Sequence, residues 1–151
     1  MSTQENLETI FSILHDGTIE SWSGDKLKLN LKVSCSYLAE RINKSFEYFF
    51  IELQGISKIK FEAWVIQEES GPRILTELRD IFSAELGILT AKKESDYVVV
   101  SCNQDDRKLD YCGGTLSLSC EGIKINDQDL NPLTIEFMKE ISSNYWEKFG
   151  N

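Results

Sequence analysis

Basic stretches are what this chain most clearly lacks. Its 151 residues include 16 lysines and arginines against 25 aspartates and glutamates, which gives a formal net charge of -9 at pH 7. The longest basic run is the pair Lys92-Lys93. Proteins that bind nucleic acid present a basic face to the phosphates. We therefore expect no nucleic-acid partner, whereas a basic protein would be attracted by the negative field.

Long apolar runs are missing as well. No window approaches the roughly 20 apolar residues that are needed to cross a bilayer. The opening stretch MSTQENLETIFSILHD has neither a basic start nor an uninterrupted apolar segment, so it does not resemble a secretory signal. From these features we expect a cytoplasmic protein that makes no membrane contact.

Metal-binding patterns are also absent from the sequence. The chain has four cysteines, Cys35, Cys102, Cys112 and Cys120. They form no C-x-x-C pair, and the single histidine cannot complete a zinc site. Residues 127–131 imitate the start of a calcium loop, but Pro132 stands where that loop requires glycine. We expect reduced cysteines and neither a metal nor a cofactor.

What is present is the composition of an ordinary folded domain. Hydrophobic residues make up 41% of the chain and charged residues 27%, and there are only two prolines. A chain of this length and composition can bury a core without disulfides. We predict one domain over residues 1–151.

The clearest local pattern lies in DKLKLNLKVSC, residues 25–35. Every second residue from Leu27 to Cys35 is apolar, and the residues between them are polar. Such alternation predicts a strand with one buried and one wet face, as antiparallel sheets allow. Before it, residues 3–14 have helical spacing and residues 18–22 predict a first strand.

Helices and further strands are predicted along the rest of the chain. Apolar spacing predicts one helix over about 74–86, ended by Gly87, and another over 132–149 with Asn131 as its N-cap. Strands are predicted at 46–55, which bends at Gly55 and continues over 56–67, and at 88–92, 96–102, 109–120 and 123–127, the last two joined by a tight turn at 121–122. The fold class is therefore α+β. We expect a mostly antiparallel sheet of about six strands with the N-terminal helix and these two helices packed against it.

His15 is the one candidate for a catalytic base. It could act in a small hydrolase-like enzyme if an acid such as Asp16 oriented it and a nucleophile such as Cys112 lay nearby. Neighbouring residues seldom point their side chains together, however, and no cation stands beside Cys112 in sequence. The favoured interpretation is structural, with Asp16-Gly17 forming a turn and His15 at the end of the helix.

A binding surface is the better use of the acidic side chains and of two tryptophans. The pairs Glu68-Glu69 and Asp105-Asp106 lie in polar loops, which are usually only solvated turns. Together with tryptophans that are predicted to be exposed, they would suit a basic protein. The candidate binding residues are Trp22, Trp64, Glu68, Glu69, Asp105 and Asp106.

One stretch carries a family resemblance. LHDGTIESW and KLKLNL, within residues 14–31, resemble several bacterial families of small α+β proteins whose LHD or FHD element leads into the first strand. Some of these proteins accompany polymorphic toxins as immunity proteins. The resemblance implies an intracellular protein that neutralises a partner by binding it, without catalysis, and a structural LHD element.

Three functional hypotheses follow. The first is a non-catalytic protein-binding module, immunity-like, for a basic partner. The second is the small enzyme that uses His15. The third is a structural protein that forms a homodimer through its sheet or its aromatic C-terminal helix. The scarcity of catalytic residue types places the first ahead of the others.

Overall fold

The computed structural model describes residues 2–65 and 73–149. These residues form four helices and eight strands. The helices are α1 (Thr3–Ile13), α2 (Ser36–Ala39), α3 (Leu78–Ile81) and α4 (Ile135–Phe149). The strands are β1 (Thr18–Gly24), β2 (Lys28–Ser34), β3 (Tyr48–Val65), β4 (Arg73–Leu75), β5 (Leu86–Glu94), β6 (Tyr97–Asn103), β7 (Tyr111–Asn126) and β8 (Pro132–Leu133).

Six of the strands close into a ring. The order is β1-β2-β3-β7-β6-β5, and β5 returns to β1, with every pair antiparallel. The long strand β3 closes the ring because residues 48–54 pair with β2 on one edge while residues 50–65 pair with β7 on the other. The short strands β4 and β8 are added outside the ring. The predicted α+β class with a mostly antiparallel sheet is confirmed.

Helix α1 supplies part of the core. Leu7, Ile10 and Phe11 are fully buried, as the spacing over residues 3–14 predicts. The helix packs on β5 and β7, and α4 packs on α1 with Met138 buried beneath it. The core is a single cluster that draws on the ring, α1 and α4.

The predicted helix over 74–86 is wrong. Its first residues form β4, only Leu78–Ile81 are helical, and Leu86 starts β5 by pairing with Ile19. The apolar spacing arises because Leu78, Ile81 and Phe82 all reach the core from a short, tightly wound connection. A helix of four residues needs no long amphipathic stripe.

One predicted bend is present and one predicted turn is absent. Residues 48–65 form a single strand that bends at Gly55, with φ of 58°, as predicted for 46–67, and that carries a bulge before Lys58; residues 66 and 67 lie outside the described residues. Residues 121–122 lie inside β7 and form no hairpin turn, because they pair across to β3 at the same bend.

The start of α4 differs from its predicted start at 132. Pro132 and Leu133 form β8, and Thr134 caps the helix by accepting a hydrogen bond from Phe137 N at 3.0 Å. Asn131 is not the cap, because its side chain is hydrogen-bonded to the buried Asp127 carboxylate.

Candidate functional site

A row of residues crosses the outer face of the ring at one end. Core residues alternate along each strand, so their neighbours point outward. Strand register brings five of these positions side by side from β3 to β1. We call Trp64, Gly113, Asn103, Gly87 and Thr18 the outer row.

Two glycines make the outer row concave. A Cβ atom on Gly113 would lie 3.0 Å from Asn103 Cα and 3.1 Å from Trp64 Cε3, so the indole rests on the bare backbone. A Cβ atom on Gly87 would overlap the Asn103 side chain, which lies in that space. Close approach of backbone atoms requires glycine at Gly113, whereas the atom that a Cβ on Gly87 would meet is the end of the Asn103 side chain, which can move.

An acidic cavity of about 510 Å³ opens over the Gly87 end of this row. Its lining combines backbone, hydroxyl and amide groups with three exposed carboxylates. The lining residues are Thr18, Ser83, Ala84, Glu85, Gly87, Asn103, Gln104, Asp105 and Asp106. In the described part of the chain, the carboxylates of Glu85 and Asp105 have no hydrogen-bond or ion-pair partner.

The loop that carries two of these carboxylates is held by Gln104. This side chain is only 6% exposed. Its amide nitrogen donates to the carbonyl oxygens of Asp106, at 3.1 Å, and Tyr111, while its oxygen accepts from Asp106 N at 2.7 Å. The Asp106 carboxylate also accepts from Lys108 N. The carboxylates therefore stand on a fixed backbone and not on a loose loop.

Tyr111, at the start of β7, holds the other end of this loop. It is buried, packs on Phe61 with ring centroids 5.8 Å apart, and its carbonyl oxygen accepts from the Gln104 side chain. Burial raises the pKa of the Tyr111 hydroxyl, so the group stays neutral.

The structure unites some of the predicted binding residues and separates others. Trp64, which is 43% exposed, is one end of the outer row. The cavity that Asp105 and Asp106 line opens near the other end of the same row. Trp22 pairs with the buried Leu31, so it lies on the core side of β1. Glu68 and Glu69 lie outside the described residues.

Trp22 borders a different concavity. Its ring packs on Phe82 with centroids 6.2 Å apart, beside a groove of about 660 Å³. Leu27, 80% exposed, stands at the rim of that groove on a turn that the Asp25 carboxylate holds by accepting from two backbone N–H groups. Trp22 and the acidic cavity therefore do not form one face.

His15 lies at the end of α1, as the structural interpretation predicts. Its Nδ1 lies 2.8 Å from the Ser12 carbonyl oxygen, which can only accept, so Nδ1 carries the proton. The ring is stacked on Trp146 at 5.3 Å, and Nε2 is 4.0 Å from the Asp16 carboxylate. Asp16 itself adopts the left-handed conformation with φ of 69°. We call His15, Asp16, Tyr37 and Trp146 the histidine corner.

The other candidate enzyme residue, Cys112, is not brought to His15. It is an exposed residue near the start of β7, and no described contact joins it to the histidine corner. Burial raises the pKa of Cys35 and Cys120 to about 11 and that of Cys102 to about 12, so these thiols stay protonated. The described residues also contain no group of three or more histidine, cysteine or acidic side chains placed to hold a metal ion.

Sequence reasoning missed three members of the site. The pattern over 74–86 predicts a helix that includes Glu85 and ends at Gly87, and no pattern in the sequence marks Asn103 as part of a site. Only strand register places these residues beside Asp105 and Trp64. One signal was available, since Gly113 marks a close approach in the strand that pairs with Asn103.

Comparison with known proteins gives no match. The chain fits no protein-family model, and neither a curated protein nor a solved structure is similar to it. Among the described residues, no helix is both long and apolar enough to cross a membrane.

Proposed function

We propose that this chain is a non-catalytic intracellular protein-binding module that neutralises a basic partner, in the manner of an immunity protein. The observation that carries the proposal is the acidic cavity, which three exposed carboxylates line on a braced frame, while the exposed Trp64 lies in the same outer row. Folding uses few of these carboxylate oxygens, so they remain available to another molecule.

Charge gives the cavity its selectivity. Glu85, Asp105 and Asp106 concentrate negative charge in a concave space, and the whole chain carries a net charge of -9. A concave acidic surface attracts a basic partner and speeds its encounter, more strongly at low salt. Arg107 and Lys108 follow in the same loop but do not line the cavity.

Trp64 gives the surface an anchor. A large ring that is already held against the sheet loses little conformational freedom when a partner covers it. An indole can also accept a lysine or arginine side chain over its face. An arginine-bearing or lysine-bearing segment could therefore contact Trp64 and reach the carboxylates along the outer row.

The groups that could support catalysis are used differently. His15 donates Nδ1–H to a carbonyl and stacks on Trp146, and three of the four thiols are buried and protonated. These contacts favour binding over the enzyme hypothesis.

The test measures the affinity of the protein for an octalysine peptide at 50 and 500 mM sodium chloride. We expect binding at low salt that is weakened at high salt. The variant Glu85→Gln/Asp105→Asn/Asp106→Asn should bind at least about tenfold more weakly at low salt, equivalent to about 1.4 kcal/mol. The matched control Asp96→Asn/Asp129→Asn/Glu136→Gln removes the same charge at exposed positions elsewhere.

An equal loss of affinity in both triple variants would show attraction by net charge alone and contradict the cavity as the site. The immunity role has its own test, in which the product of a neighbouring gene is mixed with the chain. Neutralisation of that product by the parent chain, lost in the cavity variant and kept in the control, is the expected result. Neutralisation that survives the cavity variant would disprove the role of the cavity.

A further inference from the structure

A second concavity has the opposite charge. It lies between the turn that follows α2 and the last turns of α4, and its volume is about 500 Å³. We call this the basic groove, lined by Glu40, Arg41, Lys44, Tyr145 and Lys148. Three cations and one carboxylate thus meet in a chain whose total charge is strongly negative.

The three cations are not used by the fold as ion pairs. Elsewhere, lysines and an arginine lie within 4.0 Å of carboxylates. Across residues 2–65 and 73–149, no such pair includes Arg41, Lys44 or Lys148. Like charges that line one groove repel each other, and a bound anion would relieve that repulsion.

The floor of the groove is an aromatic surface that is already in place. The Tyr145 ring lies 4.6 Å from Tyr37 and 5.0 Å from Trp146, measured between ring centroids. Tyr37 is fixed in turn because its hydroxyl donates to the His15 carbonyl oxygen at 2.7 Å. The ring beneath the groove is therefore held from two sides.

Arg41 is placed by this floor. Its guanidinium carbon lies 5.6 Å from the centroid of the Tyr145 ring. A guanidinium over a ring keeps its N–H groups at the edge of its own plane, where two of them can donate to the two oxygens of one anion.

The backbone that carries Arg41 and Lys44 is also fixed. Arg41 N donates to Leu38 O at 3.0 Å. The Asn43 side-chain oxygen accepts from the amide and the hydroxyl of Ser45, which encloses Lys44 in a closed turn. Lys148 approaches from α4 on the other side.

We propose that the basic groove is a binding site for a small ligand that carries a multiply charged oxyanion, either a phosphate or a carboxylate group. Arg41 supplies a two-pronged donor, Lys44 and Lys148 supply mobile charges, and Tyr145 supplies the floor. The volume falls in the range of small-molecule sites, about 300–1,000 Å³. This site is independent of the acidic cavity and of the function proposed for it.

The test uses the indole N–H signals of the three tryptophans in protein labelled with nitrogen-15. Trp146 contacts the floor of the groove, whereas Trp22 and Trp64 lie elsewhere and serve as internal controls. Inorganic pyrophosphate and citrate are titrated separately at constant ionic strength. We expect the Trp146 signal to shift saturably, with a Kd below about 1 mM for at least one of them.

The variant Arg41→Gln/Lys44→Gln/Lys148→Gln should lose at least about tenfold in affinity. The control Lys60→Gln/Lys108→Gln/Lys124→Gln has the same net charge and should bind as the parent does. Arg41→Lys should bind pyrophosphate several-fold more weakly, because an ammonium offers no planar fork. A shift with pyrophosphate alone identifies a phosphate ligand, and a shift with citrate alone identifies a carboxylate ligand.

Three results would overturn the proposal. They are no saturable shift of Trp146 with either anion, equal weakening in the two triple variants, and equal shifts at all three tryptophans. Circular dichroism of each variant shows whether it is folded. If the groove variant is unfolded, the single variant Lys44→Gln, at an exposed position, replaces it under the same criteria.

Discussion

The histidine corner and the acidic cavity almost meet in sequence, at His15 and Thr18, yet they use polar groups in opposite ways. At the corner, the imidazole Nδ1–H and the Tyr37 hydroxyl each have a partner within the fold. At the cavity, the described carboxylates of Glu85 and Asp105 have none. Chemically versatile residues can thus be used up by folding, while plain carboxylates stay available for recognition.

The thiols also divide into buried groups and one exposed group, and the difference in their reactivity is the largest effect that we expect. Only a thiolate reacts rapidly with iodoacetamide. At pH 8, thiols whose pKa is raised to about 11 or 12 by burial, as for Cys35, Cys102 and Cys120, are ionised to about one part in a thousand or less. Mass spectrometry should find one adduct in the native protein, at Cys112, and four after unfolding. Equally fast labelling of Cys102 in the native state would refute this assignment.

Closing the space above Gly113 should have the next largest effect. In Gly113→Ala, the new methyl group would meet the Cys102 carbonyl and Asn103 Cα, and backbone atoms cannot swing away. We expect the free energy of unfolding, measured with guanidinium chloride, to fall by about 2 kcal/mol. The control Gly122→Ala would meet only the flexible Gln54 side chain and should cost clearly less. Equal costs would mean that the outer row is not tightly built.

Removing one hydroxyl tests the histidine corner. Tyr37→Phe keeps the ring contacts with His15 and Tyr145 but leaves the His15 carbonyl oxygen without its donor. Unfolding by urea should show a loss of about 1 kcal/mol. The control Tyr48→Phe removes a hydroxyl that makes no hydrogen bond within residues 2–65 and 73–149, from a ring that contacts Lys32. No loss for Tyr37→Phe would contradict the structural role of the corner.

The smallest effect on stability is expected at the acidic cavity. In Asp105→Asn/Asp106→Asn, the asparagine oxygen at position 106 can still accept from Lys108 N. The free energy of unfolding should change by no more than about 0.5 kcal/mol. A loss of more than about 2 kcal/mol would place these carboxylates in the structural frame and weaken the proposed binding role.

Local sequence patterns predict the structure correctly where burial is set within a single strand or helix. The alternation from Leu27 to Cys35 predicts β2 because the burial of each side chain depends only on which face of its own strand it lies on. Residues 3–14 predict α1 in the same way. The prediction fails where the same apolar spacing can arise from two different structures. Leu78, Ile81 and Phe82 are buried by a compact connection and not by one face of a long helix.

The site was predictable only in part for a related reason. Asp105, Asp106 and Trp64 stand out as polar-loop and exposed aromatic residues, so composition finds them. Whether Trp22 faces the core depends on a register with Leu31 that includes a bulge, and a single strand pattern does not contain that information. Glu85 and Asn103 line the same cavity only because β5 and β6 are paired in the ring, and that pairing cannot be read from either segment alone.

Helix α1 also covers an edge of the ring at which a strand of another molecule could pair. Strand β1 pairs with β5 only near Leu86 and Gly87, so the rest of that edge would be open to a strand from another molecule. Glu8 accepts from Lys93 N, and Ser12 donates to the Ala91 carbonyl at 3.3 Å, so helix side chains occupy positions that a neighbouring strand would otherwise fill. Loss of those two side chains would leave backbone groups of β5 unpaired and favour edge-to-edge aggregation, although the core would be unchanged.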